Sequence, residues 1–489
     1  MDEIKNKARK IIDSISKFMD TMYFALALVG LELFCYYLEL DLLIIIVVSL
    51  TVTFALLFKK DLNCLFFIFL CMSTMISLGN SPGNSPLKSY YYFEPGVYIT
   101  CIFAAAIPVI IATVKGVKNI IKGNFKSPAL LISIFALCIA LFVNGIFSEL
   151  YEPLDALFGI FMVFFFGVFF IAIAPQMRIN KESIVNIARQ VTIYALVPII
   201  ELSVYYLLTL YEGMNFESRT LIFLGWGNRN TIGLLFLLCF CFIIALIKLE
   251  TVKPFKIASC VIGALTILGC VFSFSRQAYV CGGALTIAYL AYSSIHTDGK
   301  KRIFYIASLG TVSVGIIIGI VVLSVKGYFQ ELLLDNLISF GDGRINLWSK
   351  AFDTFKANPI FGGGFYYLGG DPKVQLDNIM PLCCHNTILQ MLSACGLVGL
   401  VTYLVYRFMT VKIMIKNFDS YKLYPVLGVA VILITSLLDI HLFDLFGSSF
   451  YVILLAMAVS PKSEAIEKEY SVNSENIKID SNEVHLCEN

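Results

Sequence analysis

Apolar runs long enough to cross a bilayer recur along almost the whole chain, and this recurrence limits what the chain can fold into. A helical span needs about 17–25 apolar residues. Such runs stand at 21–38, 41–58, 63–79, 97–114, 129–147, 154–174, 190–210 and 230–247, then at 257–273, 277–295, 303–325, 386–406, 423–438 and 445–460. In hydrocarbon every backbone N–H and C=O must be paired within the protein, so the runs are expected to be helices. Composition agrees: 14% of the 489 residues are charged, where a soluble domain carries about 25%. The chain reads as an all-α polytopic membrane protein of about twelve to fourteen transmembrane helices. The net charge of +2 gives no hint of a nucleic-acid partner.

Basic residues orient these spans. With the N-terminus in the cytoplasm, 27 of the 36 Lys and Arg fall in residues 1–20, in alternate turns and in the tail, as the positive-inside rule requires. The expected organisation is a cytoplasmic segment 1–20, eleven spans over 21–325, a large extracytoplasmic loop 326–385, three spans over 386–460 and a cytoplasmic tail 461–489. The tail is polar and lacks apolar periodicity, as disordered segments do. No cleavable signal peptide is expected, because no small-residue cleavage pattern follows the first apolar run. Most of the 14 Cys fall in or beside apolar runs and read as small packing residues. Cys383 and Cys384 are also read as reduced.

Loop 326–385 is the long insertion, and long loops in compact proteins are functional or disordered. Ile345, Trp348, Phe352 and Phe355 recur at helical spacing, one face of an amphipathic helix that Asn358-Pro359 should end. Gly362-Gly363-Gly364 then permits a tight bend or a close backbone approach to a ligand. Trp348 reads either as an interfacial belt residue or as a platform for a sugar. Arg344 stands near the start of the helix, where the dipole disfavours a cation; an anion or the adjacent Asp342 would satisfy it. His385 opens the next apolar run beside Asn386, and an imidazole there can act as a general base. A capped, non-catalytic histidine is the alternative.

Nine Lys and Arg lie outside in this topology. Among them Arg219, Arg229, Arg276 and Arg344 are guanidiniums able to converge, with Asn230 beside Arg229. Arginine forks match phosphate oxygens, so the pattern suits a pyrophosphate at the outer membrane surface. Snorkelling at a helix end is the bland reading of Arg276. Asp439, His441 and Asp444 lie near the last external turn, where they line a cavity or solvate a helix end. Glu39-Leu40-Asp41 offers two carboxylates for a divalent cation, but short acidic turns are common and no metal is assigned.

Three patches resemble the O-antigen polymerase and ligase superfamily. Gly343-Arg344, Trp348, Pro359, Gly362, Gly364, His385-Asn386 and Gly396-Leu397-Val398-Gly399 resemble its G-R…W…P…G-x-G…H-N…G-L-x-G run. Ser275-Arg276 resembles its S-R hairpin, and Arg219, Gly225, Asn228 and Asn230 resemble its R…G…N-P-N motif, with Arg229 in place of the proline. The resemblance implies a GT-C-type glycosyltransferase fold in the bacterial cytoplasmic membrane, both termini cytoplasmic and the active site extracytoplasmic. It implies a metal-independent, inverting reaction without a cofactor. His385 would assist the acceptor hydroxyl, while Arg219, Arg276 and Arg344 hold an undecaprenyl diphosphate. The expected partners are an undecaprenyl-diphosphate-linked oligosaccharide, the lipid bilayer and a chain-length regulator protein. A polymerase is the first reading, ligase-type transfer to a lipid or other acceptor the second. A lipid-linked oligosaccharide flippase is the reading from another class.

Overall fold

The computed structural model describes residues 2–38, 40–78, 95–211 apart from 124, 126, 150 and 152, then 229–325, 341–365, and 384–461 apart from 440. Among them the secondary structure is helical throughout. In chain order the helices are α1 (Asp2–Phe18), α2 (Met22–Tyr37), α3 (Asp41–Phe58), α4 (Leu65–Leu78), α5 (Pro95–Ile121), α6 (Pro128–Phe142) and α7 (Pro153–Val163). A π-turn at Phe164–Phe169 joins α7 to α8 (Phe170–Ile173). Then come α9 (Lys181–Tyr194), α10 (Leu196–Tyr211), α11 (Arg229–Leu249), α12 (Lys253–Phe272), α13 (Arg276–Ile295) and α14 (Gly299–Val325). The last are α15 (Gly341–Ala357), α16 (Thr387–Lys416), α17 (Leu423–Thr435) and α18 (Leu445–Val459).

The predicted apolar runs fall on these helices, the run 154–174 across α7, the π-turn and α8 and the run 190–210 across α9 and α10. Six of the described helices are long and apolar enough to cross a membrane unaided: Asp155–Gln176, Lys181–Leu207, Arg229–Leu249, Lys253–Phe272, Arg276–Ile295 and Thr387–Lys416. Shorter apolar helices, such as Leu423–Thr435 and Phe446–Val459, pack among them. Helix α11 sits at the centre, with most of its length buried against α9, α12, α13 and α17.

Helix also covers two stretches outside the apolar runs. Residues 181–189 belong to α9: Asn180 and Ser183 form a reciprocal capping box at its start, and Ile184, Ile187, Ala188 and Val191 bury one face. Each side chain satisfies a backbone N–H that the helix leaves unpaired. Residues 2–18 form α1, which turns 77° from α2.

The glycines near the loop form the tight bend their sequence permits, with positive φ at Gly362 and Gly364. Helix α16 is broken at Gly396, whose φ is +63° and ψ −157°. The break frees carbonyls and N–H groups in the middle of a span, where each needs a partner. Segment 359–364 supplies them. Gly363 N–H donates to the Ser393 carbonyl at 2.8 Å and Gly364 N–H to Ala394 at 3.1 Å. Leu397 N–H donates to Pro359 at 2.9 Å and Val398 N–H to Ile360 at 3.1 Å. A Cβ at Gly362 would meet the Ala394 backbone, and one at Gly396 the Ile360 backbone. The close approach at Gly362 is therefore to the protein's own broken helix, and that at Gly364 is to the Asp155 carboxylate. Gly399 is needed as well, since a Cβ there would overlap Cys395.

Helix α15 ends before Asn358-Pro359, as read from the sequence, but its inward face is rotated. Ala351 and Thr354 are buried beside Trp348, while Phe352 is exposed. Lower in α16, Arg407 is held by Tyr403 and Tyr451, with its guanidinium 4.6 Å and 4.7 Å from their ring centres. This cation–π enclosure ties α16 to α18.

Candidate active site

Five helix ends meet at the predicted outer side. The starts of α16 and the end of α17 are zipped together: Thr387 N–H and Oγ1–H both donate to the Ser436 carbonyl, at 3.0 Å and 2.8 Å. Asn386 Nδ2–H donates to the Leu437 carbonyl at 3.2 Å, and its Oδ1 caps α16 by accepting from Ile388 and Leu389 N–H. Asn386 thus caps α16 and ties it to the end of α17 while staying partly exposed. This zip brings His385 to Asp439, with Nδ1 at 2.8 Å from Oδ1.

Asp439 is also a hub for α11 and α13. Asn230, in the first turn of α11, donates from Nδ2 to Asp439 Oδ2 at 2.7 Å. Ser275, the N-cap of α13, donates from Oγ to Asn230 Oδ1 at 3.0 Å. Gln277 Nε2 donates to the Asn230 carbonyl at 3.1 Å and lies 2.7 Å from His441 Nε2. On its other edge His441 Nδ1 is 3.2 Å from Asp444 Oδ2, and Asp444 Oδ1 caps α18 by accepting from Gly447 N–H. Two His–Asp pairs are thereby joined through Asn230 and Gln277.

The backbone is unusual at this junction. Among the described residues, the non-glycine positions with positive φ are Phe274 at +50° and His385 at +49°. Such conformations are disfavoured for residues with a Cβ, and they cluster at functional sites when the surroundings hold them there. Here Phe274 precedes the Ser275 cap, and His385 precedes the Asn386 cap. The carbonyl before His385 is fixed from outside the bundle: Trp348 Nε1–H donates to Cys384 O at 2.9 Å. Cys384 is a buried free thiol whose pKa burial pushes up to about 11, so it packs rather than reacts. Cys383 lies outside the described residues.

Charge is organised around the carboxylates. Burial alone would raise the Asp439 pKa, but the hydrogen bond from His385, the charges of His441 and His385, and the bond from Asn230 together hold it below the usual range. Burial disfavours a charged His441, yet the hydrogen bond to Asp444 and the charges of Asp439 and Asp444 raise its pKa. A protonated His441 requires the Gln277 amide to turn, so that its buried and unpaired Oε1 meets Nε2. The His385 side chain is 34% exposed, and a neutral ring that donates Nδ1–H to Asp439 would leave Nε2 as an acceptor.

The sequence-predicted residues are distributed unevenly. His385, Asn230, Asp439 and His441 form one connected network, and Trp348 and Asn386 brace it. Arg229 and Arg276 are the first residues of α11 and α13, side by side through the Asn230–Ser275 bond. Arg344 lies in the first turn of α15 with its side chain outside the described residues. Arg219 and Glu39 also lie outside them. Gln277 had no assigned role in the sequence reading. Its signal was a polar side chain directly after Arg276 at the mouth of an apolar run.

Residues 261–404 match the model of a family described as Wzy_C, O-antigen ligase. A search of curated proteins found no match. Members of the matched family are membrane glycosyltransferase-like enzymes. The matched stretch contains Ser275-Arg276, Trp348, the 359–364 segment, His385 and the Gly396 break. Residues 261–404 of this multi-pass helical chain, less than half of its length, are therefore similar to the O-antigen ligase family.

Proposed function

We propose that the protein is a polysaccharide polymerase acting at the external membrane face. It takes a glycan from undecaprenyl diphosphate and transfers it to a hydroxyl of another lipid-linked repeat unit. The observation that carries this reading is the His385–Asp439 pair at 2.8 Å, with the imidazole partly exposed and the carboxylate buried. Asp439 fixes the ring in the tautomer whose Nε2 accepts a proton. The acceptor hydroxyl oxygen attacks the anomeric carbon and its proton passes to His385 Nε2. The bond from that carbon to the diphosphate oxygen breaks, and the electron pair leaves with the diphosphate. Arg229 and Arg276, with Arg219 and Arg344, hold the leaving group, as preorganised charge does where it contributes most. The helix starts of α11 and α13 add positive potential in the same place.

Ligase-type transfer is the second reading, favoured by the description of the matched family. The two differ only in the acceptor. Purified protein given a single lipid-linked repeat unit should yield a ladder of longer lipid-linked glycans on a gel. If no ladder forms, but a transferred glycan appears when a lipid-core acceptor is added, the polymerase reading fails and the ligase reading replaces it.

A further inference from the structure

Helix α1 is built unlike the spans that follow it. Five of its residues are Lys or Arg and three are Asp or Glu, too many charges for a helix surrounded by hydrocarbon. Its apolar residues nevertheless fall on one face. Ile11, Ile15 and Phe18 follow one another at four and three residues, and they are 53%, 40% and 46% exposed. Cations border this stripe on both sides. Lys7 precedes Ile11 by one turn, and Lys5 precedes the half-buried Ile12 by two. Lys5, Lys7, Arg9, Lys10 and Lys17 are all exposed.

The direction of α1 is fixed where it meets the bundle. It turns 77° from α2, and buried side chains from two other helices hold the elbow. Lys59, at the end of α3, donates from Nζ to the Ser16 carbonyl at 3.0 Å and to Asp20 Oδ2 at 2.7 Å. Gln190 of α9 donates from Nε2 to the Met19 carbonyl at 2.7 Å and to the Thr21 carbonyl at 3.2 Å. These contacts gather residues 1–20, Lys59–Lys60 and the start of α9, which the distribution of basic residues assigns to the cytoplasmic side. A helix that leaves a span at 77° on that side runs close to the plane of the membrane. The Phe18 ring meets the Phe24 ring of α2 edge-on at 5.8 Å, and Phe24 meets Phe67 of α4 in the same way. The face that carries Phe18 is therefore turned toward the spans and the hydrocarbon between them.

We infer that α1 lies in the headgroup layer of the cytoplasmic leaflet and docks there on anionic phospholipid. The inference is independent of the transfer reaction proposed above. A helix with a narrow apolar stripe, low overall hydrophobicity and a basic polar face settles at the boundary of headgroups and acyl chains. Ile11, Ile15 and Phe18 enter the acyl region. The stems of Lys5 and Lys7 lie along its edge and lift their ammonium groups to the phosphates. Arg9, Lys10 and Lys17 add to the attraction for a negatively charged surface. Charge also argues against α1 of a second copy as the occupant: two such stripes laid together would bring two net-positive helices side by side.

The test uses the purified full-length protein in nanodiscs that hold one copy each. The discs are made of phosphatidylcholine alone or of phosphatidylcholine mixed with phosphatidylglycerol. Trypsin cleavage after the five basic residues of α1 is followed by mass spectrometry, with the exposed Lys300 and Lys301 as the reference. Cleavage in α1 should be about tenfold slower in the phosphatidylglycerol discs, and this protection should fade as salt is raised. Ile15→Glu keeps every cleavage site and should remove the protection, and Ile11→Glu reads the same stripe one turn earlier. Lys5→Gln combined with Lys7→Gln, reported by cleavage after Arg9, should weaken it. Equal cleavage in the two lipids would overturn the inference, as would protection that both glutamate substitutions leave intact. Protection seen only in discs holding two copies would also overturn it, because the stripe would then be a seam between copies.

Discussion

The two His–Asp pairs are built from the same residue types and are oriented oppositely. In the first, the His385 side chain is 34% exposed and Asp439 is 4% exposed. In the second, His441 is 3% exposed and Asp444 33%. A buried carboxylate behind a partly exposed imidazole is the arrangement of a base held for use, because the anchor is dry and the second ring nitrogen can meet a substrate. A buried imidazole behind an exposed carboxylate has both nitrogens occupied, by Gln277 and by Asp444, and Asp444 also caps α18. The same residue types thus stand in two opposite arrangements, distinguished by which member of the pair is buried.

Substitutions can break this contrast. His385→Ala should lower the transfer rate by about 10²–10⁴-fold, the range of a positioned general base, whereas His441→Gln should cost far less. Asp439→Asn should reduce turnover by about 10–100-fold, as loss of a partner that orients a functional side chain does. Its effect should fall on kcat more than on KM. Arg276→Lys keeps the charge but loses the planar fork. It should raise KM for the lipid-linked donor about tenfold, matching the loss of one charge-assisted hydrogen bond.

The second pair makes a prediction about pH. Because folding raises the His441 pKa, its contribution to stability is complete below about 6.5, the ordinary histidine value, and is lost as pH rises through the folded value. The thermal midpoint of the solubilised protein should decline over that window, and His441→Gln should flatten the decline. Asp439 acts in the opposite sense: its lowered pKa gives stability above about 3.9 that disappears as pH falls through the folded value. The smallest effect is expected for Trp348→Phe. It removes the N–H bond to the Cys384 carbonyl and should cost about 1 kcal/mol, readable as a modest loss of thermal stability.

Much of the fold was legible because the length of an apolar run is itself a physical measurement of the bilayer. The helix α15 and its end at Asn358-Pro359 were legible for a similar reason, since period and proline act locally. The pairing of His385 with Asp439 was not, because it depends on the Thr387–Ser436 zip between chain segments far apart in sequence. Gln277 was hidden by the same distance. The glycines at 362–364 carried a true but incomplete message: a glycine reports that space is tight and not what fills it. Here the neighbour is the broken backbone of α16, and Gly396 on the far side of the contact completes the reason. Arg229 and Arg276 were legible as cations at the mouths of apolar runs, while the proximity of their helix starts needed the Asn230–Ser275 bond.

The most direct test of the account places three proteins in the same assay: the intact chain, His385→Ala and His441→Gln, each purified and supplied with a lipid-linked repeat unit. The account predicts a glycan ladder from the intact chain and from His441→Gln, and unextended substrate from His385→Ala. A ladder that survives His385→Ala but disappears in His441→Gln would contradict it, and would move the reactive imidazole to the buried pair.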